Sequence, residues 1–469
     1  SLRTAQAIVK DATLLIEPPD PDVVAKGAAV VIDGKIYSKY GVGLVILFLP
    51  IVLAAKLLAF LPGPEESRIL GFFISFYNIP FAIGALCFLH RICTHLGATS
   101  NRANLAVLAL GIGTFFWKYT VTDFSEVTQL CFLLGTTFFL FRDQNRDVFK
   151  ASALFSCLLM MKLVNVLLWG PLALYLLMRH GMGKAGLGQV LRFASIVFLA
   201  GLGLLLYNHL RFGSPFATGY EGTGIGFNLD NFKRDFIQYF FSPQRGLFAF
   251  NPILLAALAF WPGFIRSHRK EATCLLAIIV LWFLLMSAWV SYQGGWAWGN
   301  RLLIMTVPLL LIPFSLVRLD KPWQAVCVTG LFLVSVYIQL IAVFQHTQEY
   351  FVILRDIELK PETKSLMPPQ LPGNAILFHQ KLSGRSGEYP YRLFLGSSIP
   401  VEAGKKVVST REYESYQGLH VWPFHLAAFM KQPILRWLML AFPPLFFFLL
   451  YQFHRELRQA RDAPNQTCS

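Results

Sequence analysis

Apolar stretches close to twenty residues long recur from one end of the chain to the other, among them Ile69 to Leu89, Phe124 to Phe141, Leu191 to Tyr207, Ala272 to Trp289, Ala325 to Phe344 and Ile434 to Phe453. About 20 residues of α-helix are needed to cross the hydrocarbon of a bilayer. Composition agrees: 55% of residues are hydrophobic and 14% charged, whereas a soluble domain carries roughly 25% charged residues. The mean hydropathy is +0.53. The fold class expected is an all-α polytopic membrane protein.

Lys and Arg in short connections mark the cytoplasmic side. They cluster at Arg91 to Arg102, Arg142 to Lys150, Arg179 to Arg192, Arg266 to Lys270, Arg318 to Lys321 and Arg455 to Arg461. Between consecutive clusters the chain must cross twice. The interval Phe149 to Met178 manages this only if it breaks near Lys162 and Asn165. The count reaches about eleven transmembrane helices of the usual length. The apolar stretch Gly41 to Leu61, interrupted by Lys56, is the odd one by parity and is expected as an interfacial segment, with a full span as the alternative. The net charge of +15 then reflects topology and an anionic lipid surface, with no need for nucleic acid.

Cys87, Cys131, Cys157, Cys274 and Cys327 lie in or beside spans, while Cys93 and Cys468 fall on the cytoplasmic side. This argues against an external disulfide framework and Cys-based metal sites. No internal repeat, Walker loop or strand-linked GxGxxG is present.

The unusual polar and aromatic clusters gather on the outer face. They are DGKIYSKYG (Asp33 to Gly41), KYTVTDFSE (Lys118 to Glu126), the turn at Lys162 and Asn165, YNHLRFGSPFATGYEGTGIGF (Tyr207 to Phe227), SPQRGLFAFNP, GGWAWGNR (Gly294 to Arg301) and the region from His346 to Met430. A pump or channel places ionisable groups through the middle of its spans; here they collect at one surface, which points to an enzyme working at the outer leaflet. Each cluster also has a plainer reading. Trp296 and Trp298 fit an interfacial belt, Arg301 fits a snorkelling cation, and Gly222, Gly224 and Gly226 fit a flexible loop as well as an anion nest. Either Asp123 or Glu126 fits a helix N-terminus, though capping explains one better than both. Lys162 resists the plain reading, because a lone Lys at a span centre costs about 2.5 to 3.5 kcal/mol; it is expected at a helix end with a partner.

Carboxylates, cations and aromatic surfaces beside lipid fit a substrate with a phosphate, a sugar and a hydrocarbon tail. Lys162, Arg301, Arg211 and Arg245 are the candidate donor-phosphate cations. Trp296, Trp298, Tyr207, Tyr220 and Tyr37 are the candidate sugar or lipid surfaces. Glu126, with Asp123 beside it, is the candidate catalytic carboxylate that takes a proton from an acceptor hydroxyl.

In DGKIYSKYGVGLVILFLP after the helical SLRTAQAIV, and in GTFFWKYTVTDFSEVTQL, YNHLRFGSPFATGY, SPQRGLFAFNP and GGWAWGNRLLIMTVP, the chain resembles the GT-C superfamily of polyprenyl-phosphate-sugar-dependent glycosyltransferases, specifically bacterial family 39 and Rgt-like proteins. The resemblance covers most of Ser1 to Met305. It implies a membrane-embedded helical body, an acidic base in the first outer loop and often a second acid in the next, a position that Glu126 matches best. It also implies phosphate binding for Lys162. One departure follows: the first-loop acid would fall at or before Ser1, since Asp20, Asp22 and Asp33 do not match its position, and a first span is expected upstream.

The resulting expectation is an integral glycosyltransferase of a bacterial plasma membrane, with its active site outside. It would move a sugar from a polyprenyl-phosphate donor to a cell-envelope glycan, lipid or protein. No cofactor is required; a divalent metal is compatible with carboxylates beside phosphates, although the outer loops show no HxH or DxD. The domains expected are a transmembrane catalytic module over residues 1–345, an extracytoplasmic region over 346–430, and a last helix with a basic tail over 431–469. The rivals are a noncatalytic GT-C-like binding protein and a transporter or flippase.

Overall fold

The computed structural model describes residues 1–16, 29–59, 65–144, 146–220, 227–228, 237–289, 294–316, 321–351, 369–383 and 442–462. Gly222, Gly224, Gly226, Asp20, Asp22 and most of the 346–430 region lie outside the described residues.

Helix α1 (Leu2–Asp11) leads to an antiparallel hairpin of β1 (Ala29–Ile32) and β2 (Lys35–Ser38), in register from Ala29 opposite Ser38 to Ile32 opposite Lys35. Asp33 and Gly34 form the turn with positive φ of 50° and 73°, the Asp-Gly preference of a two-residue hairpin loop. The chain then runs into α2 (Val42–Leu58), α3 (Glu66–Phe76), α4 (Ile79–His95), α5 (Ser100–Gly113), the single turn α6 (Phe116–Tyr119), α7 (Glu126–Arg142) and α8 (Asp147–Met161). A short 3-10 segment, Leu163–Leu168, joins α8 to α9 (Trp169–His180), and α10 (Lys184–Phe212) follows.

Beyond these come α11 (Ile253–Leu258), α12 (Trp261–Ser267), α13 (Arg269–Ala288), a 3-10 turn Arg301–Thr306 with α14 (Val307–Leu311), and α15 (Pro322–Val343). Last in the chain are α16 (Gln370–Leu382) and α17 (Phe442–Asp462). Among the described residues, five helical stretches are long and apolar enough to cross a membrane: Glu66–His95, Leu163–His180, Lys184–Phe212, Arg269–Ala288 and Pro322–Val343. The chain is a helical, multi-pass membrane protein. The remaining expected crossings fall on shorter apolar helices, such as Ile253–Ser267 and Arg301–Leu316, on α7 and α8, or partly outside the described residues at 434–441; the stretch expected as interfacial holds the apolar helix Val42–Leu58.

The centre is α7, whose side chains are almost all buried. It packs on α4 and α8, and α8 packs on α10. The break required between Phe149 and Met178 is present: α8 ends at Met161, Lys162 is extended (φ −149°, ψ 130°), and the 3-10 turn begins at Leu163. A helix end leaves carbonyls without intrahelical partners. Buried Asn165 answers one of them by donating from Nδ2 to Leu158 O at 2.8 Å, and also donates to Gln129 Oε1 on α7 at 2.9 Å. Helix α2 buries Val45, Phe48, Val52 and Ala55 and packs on α1, α3 and α8. Of the proposed separate outer region, α16 is described, and it packs on α15.

Candidate functional site

Segments far apart in sequence meet where α8 breaks. Gly41, at the start of α2, sits against this point: a Cβ there would lie 2.5 Å from Met160 O and 2.6 Å from Met161 O. Glycine is therefore required for the close approach, and it brings Lys39 and Tyr40 next to Lys162. From the other side, the loop after α6 carries Asp123 and Phe124 into the first turn of α7, where Glu126 is buried.

Buried Asn78 fixes that loop. Its Nδ2 donates to Thr122 O at 2.7 Å and Phe124 O at 2.8 Å, with a longer contact to Tyr119 O. Its Oδ1 accepts from Thr128 at 2.9 Å, and Tyr77 donates to the Phe124 carbonyl at 2.9 Å. Buried polar groups must find partners, so an Asn inside the apolar run Ile69 to Leu89 was a legible sign of such a clamp.

At the centre, Lys162 Nζ donates to Glu126 Oε1 at 2.8 Å. The Glu126 side chain is 4% exposed and that of Lys162 32%. The expected helix-end Lys with a partner is thus found, its partner lying on α7. Glu126 Oε2 is buried and accepts no hydrogen bond among the described residues. The Arg301 guanidinium carbon stands 4.0 Å from the centre of the Phe124 ring, close enough to Glu126 to interact through charge. Its Nε is buried with no partner, and among the described residues Arg301 makes no hydrogen bond or ion pair. Asp123 is exposed and likewise unpaired among the described residues. Tyr40 completes the ring: burial raises its phenol above the usual range, the positive charge of Arg301 opposes that, and Glu126 and Asp123 add to it. The Lys39 ammonium lies 4.7 Å from the Tyr220 ring centre, and burial pushes its pKa down.

The other expected site residues have different surroundings. Arg211 is 4% exposed and donates to the carbonyls of Ser38 and Tyr40 and to Asn208 Oδ1. Its fork holds the exit of the hairpin. Arg245, also 4% exposed, donates to the carbonyls of Gly295, Ala297 and Gly299, so it holds the GGWAWGNR loop. With donors aimed at backbone oxygens and, for Arg211, at the Asn208 side chain, these two arginines hold loops in place. Trp298 is buried at 1% exposure, with its indole N–H on Gln339 Oε1 at 3.3 Å and its ring edge-on to Phe250. It packs as a core peg. Trp296 is 43% exposed and stacks on Phe351 with 6.0 Å between centroids. Tyr207 is buried beneath Arg211, 3.9 Å from its guanidinium carbon. Tyr37 sits on β2 with its ring edge-on to Phe212, and Tyr220 meets Trp289 edge-on.

The glycines of GGWAWGNR have a conformational reason: Gly294, Gly295 and Gly299 take φ of 67°, 75° and 57°, the left-handed region that glycine enters without strain. At Gly299 a Cβ would also crowd Phe250 at 3.0 Å. The loop is further held by Tyr119, which donates to Trp298 O at 2.7 Å, and by Gln370 of α16, which donates to Ala297 O at 2.7 Å and accepts from Gly299 N. Asn300 then caps the 3-10 turn that begins at Arg301, fixing the height at which that guanidinium emerges.

No three His, Cys, Asp or Glu side chains converge as a metal site among the described residues.

Neither a family model nor a curated protein matches the chain. Solved structures do. The chain is similar to ArnT. The crystal structure of ArnT from Cupriavidus metallidurans bound to undecaprenyl phosphate aligns with 97% of this chain and 72% of its own, at 12% identity and a TM-score of 0.46. The apo structure of the same ArnT aligns with 97% of this chain and 71% of its own, at 12% identity and a TM-score of 0.42.

Proposed function

We propose that the protein is a membrane glycosyltransferase that moves a sugar from a polyprenyl-phosphate donor to an acceptor hydroxyl at the outer face of a bacterial plasma membrane. The observation that carries this reading is the unpaired Arg301 guanidinium, fixed over Phe124 beside the Glu126–Lys162 pair. A preorganised cation with no hydrogen bond or ion pair among the described residues, next to a second cation, suits a phosphate whose charge grows as its bond to the sugar breaks. Lys39 adds a third cation from the hairpin exit.

The acceptor oxygen attacks the anomeric carbon, the bond from that carbon to the phosphate oxygen breaks, and the polyprenyl phosphate departs with the electron pair. The acceptor proton goes to a carboxylate. Glu126 matches the family position, but it is buried and ion-paired, whereas Asp123 is exposed and unpaired. The accessible Asp123 is therefore assigned as base, and Glu126 as the positioning carboxylate that fixes Lys162. This exchanges the roles expected from the sequence. The orientation follows from the basic connections, and the acceptor is a cell-envelope glycan, lipid or protein.

The test is binding of a short-chain polyprenyl phosphate to the full chain in lipid nanodiscs. Arg301→Met and Lys162→Met should each weaken it by about tenfold or more, as expected for losing a charge-assisted contact of about 1.5 to 3 kcal/mol, while Arg455→Met in the basic tail leaves it unchanged. Equal effects at all three positions would refute a donor site at Arg301.

A further inference from the structure

Phe124 carries Arg301 against its ring. It also lines a cavity of about 170 Å³, together with Lys118, Trp296, His346, Thr347 and Gln348. None of these other residues belongs to the donor-phosphate and base chemistry assigned above. The volume is below the ~300 to 1,000 Å³ of pockets for drug-sized ligands, so the cavity takes one small group and no lipid chain.

Its chemistry is specific. Lys118 sits on the single turn α6 and makes no hydrogen bond or ion pair among the described residues. Among the described residues no carboxylate lines the cavity; besides Lys118, its polar lining includes Thr122, His346, Thr347 and Gln348. The floor is rigid, because Tyr119 and Trp298, which also line it, are both buried and joined by the Tyr119 hydroxyl to Trp298 carbonyl bond. Trp296, 43% exposed, supplies a flat wall. A partly buried ammonium with no counter-charge is costly to fold around, and burial lowers its pKa to about 8. An anion in the cavity would relieve that cost, and an aromatic wall suits a sugar face.

We propose that this cavity binds a single anionic group of the acceptor, a phosphate or a carboxylate on a sugar, with Lys118 as its counter-charge and Trp296 as its stacking wall. The assignment to an acceptor rests on the glycosyltransferase reading; the anion site itself does not. It places the acceptor's anionic group against Phe124, the chain neighbour of Asp123.

The experiment is amine labelling of the full chain in nanodiscs at pH 8 with trinitrobenzenesulfonate, read lysine by lysine by mass spectrometry. Glucose 1-phosphate, glucuronate and methyl glucoside serve as protecting probes. Lys118 is expected to label quickly and to be slowed at least about fivefold by glucose 1-phosphate or by glucuronate, at concentrations where methyl glucoside does nothing. Whichever anion protects identifies phosphate or carboxylate as the group. Trp296→Ala should weaken that protection, read as the ratio of Lys118 labelling with and without probe in the same variant. Protection by neither anion, or equal protection by methyl glucoside, overturns the anion site. Protection that survives in a protein showing no sugar transfer from any polyprenyl-phosphate donor keeps the site and removes its assignment to an acceptor.

Discussion

At Glu126 and Asp123 two carboxylates three positions apart receive opposite environments. Glu126 is held in the first turn of α7 by Lys162, and Asp123 stands in the loop fixed by Asn78. Their substitutions should separate. Asp123→Asn is expected to leave polyprenyl-phosphate binding and thermal stability near wild type and to lower turnover by about 100-fold or more, the usual loss for a general base. Glu126→Gln should act mainly on binding, because it frees Lys162. Kinetics on both variants decide: a larger turnover loss at Glu126 than at Asp123 would return the base role to Glu126. Lys118 gives a pH prediction. Its folded pKa of about 8 lies below the ordinary Lys value of about 10.4, so the unfolded chain holds the proton more tightly and stability rises with pH between those values. Lys118→Met should accordingly raise the unfolding temperature below pH 8, with the gain fading toward pH ~10.4; a gain that is constant with pH would mean the charge is not the cause. Lys162 was legible from the sequence because an unpaired Lys in an apolar stretch demands a partner. Which carboxylate supplies that partner was not, since the pairing spans 36 positions and depends on how α7 and α8 pack.

The elements that build the site are mostly loops clamped by buried amides. Asn78, Asn165, Gln339 and Gln370 each bond backbone or another amide across element boundaries. Sequence reading favoured charges and aromatics, which is why it gave Arg211, Arg245 and Trp298 ligand roles. A charged or aromatic side chain in an outer loop looks the same in sequence whether it faces substrate or the carbonyls of its neighbours, and only tertiary packing distinguishes the two. GGWAWGNR shows this within a few residues, for Trp298 is buried, Trp296 is open and Arg301 is unpaired. Gly41→Ala tests the docking of the hairpin exit on α8. Its Cβ would meet two carbonyl oxygens, and forced overpacking costs about 1 to 3 kcal/mol. The variant should stay folded but lose polyprenyl-phosphate binding, as Lys39 and Tyr40 shift. Unchanged binding in Gly41→Ala would show that the hairpin exit has no part in the site.

Across the whole molecule, the hydropathy pattern was the most legible feature: helices long and apolar enough to span occupy the runs around Ile69, Leu191, Ala272 and Ala325. The break near Lys162 was equally readable because parity and an unaffordable lone charge pointed to one place. The short and broken helices, such as α11, α12 and α14, were not separable by periodicity, since a fully buried apolar segment gives no polar face to mark where it turns. Orientation has its own test. Cysteines introduced at Ser214, Gly295 and Ser383, in a background without the native cysteines, should react with an impermeant thiol reagent on intact cells; reaction only after permeabilisation would invert the topology. The central claim is that Arg301 stabilises a departing polyprenyl phosphate during sugar transfer. The most direct measurement is the release of free polyprenyl phosphate from a donor pool extracted from native membranes, with an envelope glycolipid extract as acceptor, by purified wild type and Arg301→Met in matched vesicles. Release by wild type that falls about 100-fold in Arg301→Met, with both proteins equally folded, is the predicted result for losing one preorganised charge-stabilising group. Wild-type release no faster than that of Arg301→Met, or of vesicles without protein, would contradict it.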